Sequence, residues 1–144
     1  MKARIIYLAF IVMFVLALPA NAGGKGELQK YFSDTAKKVK ATENASEKRE
    51  ILNESFQTIS KAMDMVHSSA LISKDELAGI DRFKATLQEK HDELNGSNGY
   101  ERVTDAQLNA FADYVMQDME QAAEMITISV VTLLLIIILV VLIL

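Results

Sequence analysis

Apolar residues recur along this chain in steps of three and four, the repeat that lines one face of a helix, and not in the alternation of a half-buried strand. From Leu28 the series runs through Phe32, Thr35, Val39 and Thr42; from Leu52 it runs through Phe56, Ile59, Met63 and Val66. A mean step near 3.5 residues is the seam of helices that wrap on one another. The two series are offset across the polar stretch Ala45–Arg49, and Asn44 with Glu47 has the spacing of a capping box. Residues 27–68 therefore read either as one long helix with a register slip or as two helices with a bend near 42–46. The seam is polar at Thr35, Thr42 and Arg49, so the first helix is expected to pack loosely or to borrow contacts from another subunit.

Later boundaries are sharper. Ser73 and Glu76 form a second capping box, followed by the stripe Leu77, Ile80, Lys84, Leu87, His91 and Leu94, which Phe83 widens. Asn95–Gly99 places two Gly and two Asn in five residues, the strongest turn signal of this region. Thr104 and Gln107 make a third box, and Leu108, Phe111, Val115, Met119, Ala122 and Ile126 carry the rhythm onward. No Pro lies between Glu27 and Met125, and no breaker separates Thr104 from Leu144. The fold class predicted is all-α: a helical bundle or long antiparallel helical hairpin, its last helix (104–144) continuing into a C-terminal transmembrane span.

That span is the run 126–144, nineteen residues without charge, Gly or Pro. As a helix it would be roughly 28 Å long, against a hydrocarbon layer of about 30 Å. Its hydroxyl residues, Thr127, Ser129 and Thr132, fall in its first third, and the remainder is Leu, Ile and Val. A lipid-facing anchor fits that composition better than a channel wall, which needs small or polar positions on one face. At the other end, Lys2 and Arg4 precede the apolar run Ile5–Leu18, then Pro19 and the small-x-small triplet Ala20-Asn21-Ala22. This is the layout of a secretory signal peptide over 1–22, with cleavage after Ala22 and an exported helical region over 23–103.

Charge agrees by an independent route. The chain carries 15 basic and 19 acidic residues, and losing Lys2 and Arg4 makes it more acidic still. Residues 25–49 hold seven Lys/Arg against four Asp/Glu, whereas 101–125 hold one Arg against six acids. A membrane flank with Asp113, Asp118, Glu120 and Glu124 and no basic residue after Arg102 suits the non-cytoplasmic side, periplasmic or extracellular. The acidic balance argues against nucleic-acid binding. With no Cys, stability has to come from packing, oligomerisation or the membrane.

Candidate chemistry is sparse. Asp64 and His67 have the i, i+3 spacing of paired metal ligands on a helix, but such sites need a second matching pair, and His91 has Gln88 where the acid should be. Met63, Met65 and His67 would suit copper by softness, though Met at helical spacing is ordinarily core filler. No Gly-rich phosphate loop, nucleophile elbow or HExxH helix is present, and Gly23–Gly26 precedes no strand. Asn44, Asn53 and Asn95 head Asn-x-Ser sequons, of which Asn95 alone sits in a turn signal. No catalytic, cofactor-binding or metal residue is assigned, and neither enzyme activity nor a cofactor is expected. The expected function is that of a single-pass, membrane-anchored helical protein working by protein–protein contact on the non-cytoplasmic side, as small subunit, tether or adaptor. Its partners would be membrane lipid through 126–144 and a protein partner or second copy. One alternative is a membrane-active amphipathic protein with Lys37, Lys38 and Lys40 toward headgroups; a minor one is a metal- or ligand-binding bundle.

Overall fold

The computed structural model describes residues 25–69, 72–124 and 130–143. It contains helices α1 (Lys25–Ala41), α2 (Ala45–His67), α3 (Lys74–Asn95), α4 (Leu108–Glu124) and α5 (Val130–Ile143), with a 3-10 turn, Asp105–Gln107, leading into α4. No strand occurs among the described residues, so the all-α bundle stands. The expected signal peptide, 1–22, lies outside the described residues.

Two helices, not one, occupy the first half. The break falls at Thr42–Asn44, where the Asn44 side chain accepts hydrogen bonds from the backbone N–H of Ser46 (2.8 Å) and Glu47 (3.3 Å). That cap satisfies two of the donors a helix start leaves open, and it sets α1 antiparallel to α2. Ser73 and Glu76 close a reciprocal box at the start of α3, at 3.1 and 3.3 Å. At the third boundary Gln107 accepts from the N–H of Thr104 at 3.2 Å. At the end of α3, Gly96 adopts φ +72° and a Cβ there would sit 2.9 Å from Arg102, so the turn needs glycine on both counts.

Helices α1 to α4 supply most of one core, to which α5 adds Ile136 and Val140. Leu28, Phe32, Ala36 and Val39 come from α1, and Leu52, Phe56, Ile59, Met63 and Val66 from α2. Ile80, Phe83, Leu87 and Leu94 come from α3, and Leu108, Phe111, Ala112, Val115, Met119 and Ala123 from α4. The first helix is not loosely held. Its most extensive partner is α4 of the same chain, which runs antiparallel to it. Stepping through Thr35 hid the true stripe, in which Ala36 takes the buried place and allows close approach. The hydroxyls of that seam bond locally: Thr35 donates to the carbonyl of Tyr31 (2.9 Å) and Thr42 to that of Lys38 (2.8 Å).

Arg49, the third polar seam residue, joins three segments. Its guanidinium donates to the carbonyls of Leu94 (3.0 Å) and Val103 (2.8 Å) and to the carboxylate of Asp105 (3.0 Å). It therefore satisfies a C-terminal carbonyl of α3 and ties the connecting loop to α2.

No helix among the described residues is long and apolar enough to cross a membrane. The nineteen-residue run expected to do so is described only over Val130–Ile143, and residues 125–129, through which a forty-residue helix would pass, lie outside the described residues. In this structure α5 packs along α2, whereas α4 packs chiefly on α1 and α3.

Arg49→Ala leaves two part-buried carbonyls without their donor, the Asp105 carboxylate being open to water, and is expected to cost about 2–3 kcal/mol. Arg49→Lys should recover less than half, because an ammonium cannot fork to both carbonyls. Urea denaturation of the three proteins checks both values; an unchanged midpoint for Arg49→Ala would contradict the role assigned to this clasp.

Candidate functional site

Three places in the fold hold chemistry worth weighing: a buried lysine between α3 and α4, a shallow cavity between α2 and α3, and the surface of α5.

Lys90 lies in the 83–87–90–94 rhythm of α3, at a core position, and is 2% exposed. Its ammonium contacts Asp118 (2.6 Å), Glu93 (3.4 Å) and the hydroxyl of Tyr114 (2.5 Å), and it sits 4.1 Å above the centre of the Tyr114 ring. Burial alone would lower its pKa. The hydrogen bonds of Asp118 and Tyr114 and the charge of Glu93 outweigh burial and raise it. The group is thus a fixed cation that holds α3 to α4. It is not a proton carrier near neutrality, because catalytic lysines need the opposite shift.

The shallow cavity, about 170 Å³, is lined among others by Phe56, Ser60, Leu87 and His91. The His91 ring packs edge-on against Phe56, and its Nδ1 is buried without a hydrogen bond. The nearest acid, Asp92, lies 3.9 Å away and is engaged by Gln88 (3.0 Å) and Asn98 (2.8 Å), which lower its pKa. Among the described residues no hydroxyl is hydrogen-bonded to the His91 ring, so they supply the cavity with neither an activated nucleophile nor a base held to one.

The metal candidates do not converge. Asp64 pairs with Lys84, and His67 Nε2 lies 3.3 Å from Asp81. Met63 is fully buried while Met65 is half exposed, so the two point to different sides of α2. Among the described residues no group of three His, Cys, Asp or Glu could hold a metal ion. The sequons are equally committed: Asn44 is a helix cap, and the amides of Asn53 and Asn95 bond each other reciprocally at 2.8 and 3.3 Å. Asn95 is thus the end of α3 rather than an open loop. Of the three lysines proposed to meet headgroups, Lys40 is paired with Asp113 at 2.8 Å across the α1–α4 interface.

Helix α5 carries no polar residue except Thr132, so it has no face suited to water. Ile136 and Val140 are buried in the bundle. Ile138 (50% exposed) and Leu142 (74% exposed) lie on the outward side. Among the described side chains of α5 these are the most exposed, and their i, i+4 spacing makes them one apolar ridge. No family model, curated protein or solved structure matches the chain.

Lys90 was legible only in part. The rhythm 83–87–90–94 places it inside, but reading the stripe through Lys84 and His91 hides it. The outward ridge of α5 could not be told from its inward face, because all its residues are apolar.

Lys90→Met leaves Asp118, a third exposed, and Glu93 without their cation, and is expected to destabilise by about 2–3 kcal/mol. Adding Asp118→Leu should restore part of that loss, since apolar replacement of an ion pair is often nearly neutral while Glu93 stays without its cation. Thermal unfolding of the single and double variants checks the pair; a double variant no better than the single would contradict it.

Alkaline pH gives a second check. The Tyr31 phenol is pushed up to about 12 by burial, with Ser55 opposing through a hydrogen bond and the charge of Glu54 adding to the rise. Tyr31 and Lys90 both hold their protons more tightly folded than unfolded. Their contribution is complete below the unfolded pKa values near 10 and disappears as pH rises through the folded ones. The urea midpoint is therefore expected to be flat from pH 7 to about 9 and to fall above about 10; Tyr31→Phe should reduce the slope of that fall.

Proposed function

We propose that this is an exported, single-pass membrane protein whose helical bundle stands on the non-cytoplasmic side and acts by protein contact, as a small subunit, tether or adaptor. The observation that carries the reading is the uncharged nineteen-residue run 126–144 beside a flank, 101–125, with six acids and one Arg. A helix apolar on every side is stable only inside a large protein or in lipid. This bundle is small, and α5 keeps Ile138 and Leu142 exposed on it, so lipid is the environment that satisfies the whole segment. The n-region, h-region and Ala20-Asn21-Ala22 triplet support export.

The lipid-lying alternative has less support. Leu28, Phe32, Ala36 and Val39, the apolar face of α1, are spent on the bundle core, and Lys40 is engaged by Asp113. A helix lying on headgroups needs that face free. Contact rather than catalysis is favoured because the two groups best suited to chemistry, His91 in the cavity and Lys90 between α3 and α4, are respectively unpaired with any nucleophile among the described residues and fixed as a cation.

Two fractionations test the reading. The protein is expected to stay with membranes through alkaline carbonate, and protease added outside intact cells or spheroplasts should reach the bundle. Release by carbonate, or a bundle shielded from external protease, would refute the anchored and exported reading.

A further inference from the structure

We infer that α5 is a stowable anchor: its place on α2 is a storage site in water, vacated when the same segment enters a bilayer. The inference rests on the membrane reading above and concerns how the anchor is handled before and after insertion.

The flank of α2 that receives α5 is identified by its wheel. Leu52, Phe56, Ile59, Met63 and Val66 face the centre of the bundle core. The outer side, carrying Glu50, Asn53, Glu54, Gln57 and Lys61, borders open surface with no α5 residue along it. What remains is the flank of Ser55, Thr58 and Ala62, all buried although two are hydroxyl residues, with the partly buried Ile51 beside them. Small residues let a neighbouring helix approach closely, and α5 packs along α2.

That flank is unlike a permanent core. Ser55 hydrogen-bonds within the bundle, donating to Tyr31 (3.2 Å) and lying 3.2 Å from Thr35 Oγ1, so its hydroxyl stays satisfied when α5 leaves. Departure removes two buried residues, Ile136 and Val140, from a core to which α1 to α4 supply the other twenty described buried apolar residues. Among the described side chains of α5, docking buries Ile136 and Val140 and partly covers Leu135, Leu139 and Ile143, while Ile138 and Leu142 stay wet. A bilayer covers every side. The two environments thus favour different placements by differential burial, which is the condition for a two-state shift.

The geometry also requires a change of place. Glu124, at the end of α4, meets Gln29 near the start of α1, and α1 lies antiparallel to α2 with Tyr31 at Ser55. A straight extension of α4 would pass the end of α2 within about two turns. Packing along α2 therefore belongs to the stowed form, and the unbroken 104–144 helix expected from sequence belongs to the inserted one.

The chain lacks both Cys and Trp, so single reporters are clean. Thr58→Cys reports the flank by maleimide labelling, with Glu54→Cys as an exposed control; Ile138→Trp reports lipid contact by quenching from brominated acyl chains. The full chain, as processed by the cell, is compared in lipid-free buffer and with vesicles of phosphatidylcholine and phosphatidylglycerol. In buffer Thr58→Cys should be protected; with vesicles its labelling should accelerate at least about tenfold while Ile138→Trp becomes quenched. Quenching with Thr58→Cys still protected would overturn stowage and leave the membrane reading intact. No quenching would refute both, and a chain that needs detergent to stay dispersed in buffer would overturn stowage.

Discussion

The antiparallel pairing of α1 with α4 is the contact on which the rest of the fold depends. It joins the first described helix to the fourth, closing a ring that two hairpins alone would leave open. Without disulfides, nothing covalent holds those segments together. Burial of Phe32, Ala36 and Val39 against the stripe of α4 therefore has to supply the closure. The small side chain of Ala36 matters as much as the large ones, since it sets how near the two helices can come. Lys40 with Asp113, at 2.8 Å, fixes the register of the pair rather than its strength, and Lys48 with Asn109, also at 2.8 Å, ties α2 to the same end of α4.

Two cations, Lys90 buried and Arg49 partly so, complete the closure from opposite directions. Arg49 reaches from α2 to the end of α3 and into the loop before α4; Lys90 reaches from α3 to α4. Each is a poor hydrophobe at a core-facing position, and each is tolerated because its donors are used. The arrangement favours one topology: an alternative order of helices would bury either cation without its partners, at a cost of several kcal/mol. Specificity is thereby obtained from residues that contribute little net stability.

Much of this was legible in the residues themselves. Asn44, Ser73 and the Asn95–Gly99 turn mark boundaries because capping and left-handed turns are local chemistry, decided within four residues. The stripes of α2 and α4 were legible because large apolar residues fall at nearly every inward step. Legibility failed where the decisive residue was small or charged. Ala36 is buried next to a Thr that also fits the spacing, and Lys90 occupies a core step that a reader assigns to solvent. The reciprocal pair Asn53–Asn95 joins residues forty-two apart in sequence, and no local signal announces it.

The apolar run 126–144 was the plainest feature in the sequence and the least informative about placement, for one physical reason. Identical lipophilicity on every side removes the periodic contrast by which a helix declares its inward face. Its docking side is consequently chosen by the receiving surface, and α2 offers only one flank of small residues. A segment that any apolar environment can satisfy is held by whichever environment covers the most of it. On a bundle this small that coverage is one-sided, as Leu142 makes plain, and in a bilayer it is complete. The same uniformity that hides the segment's orientation thus leaves its location to be set by what surrounds the protein.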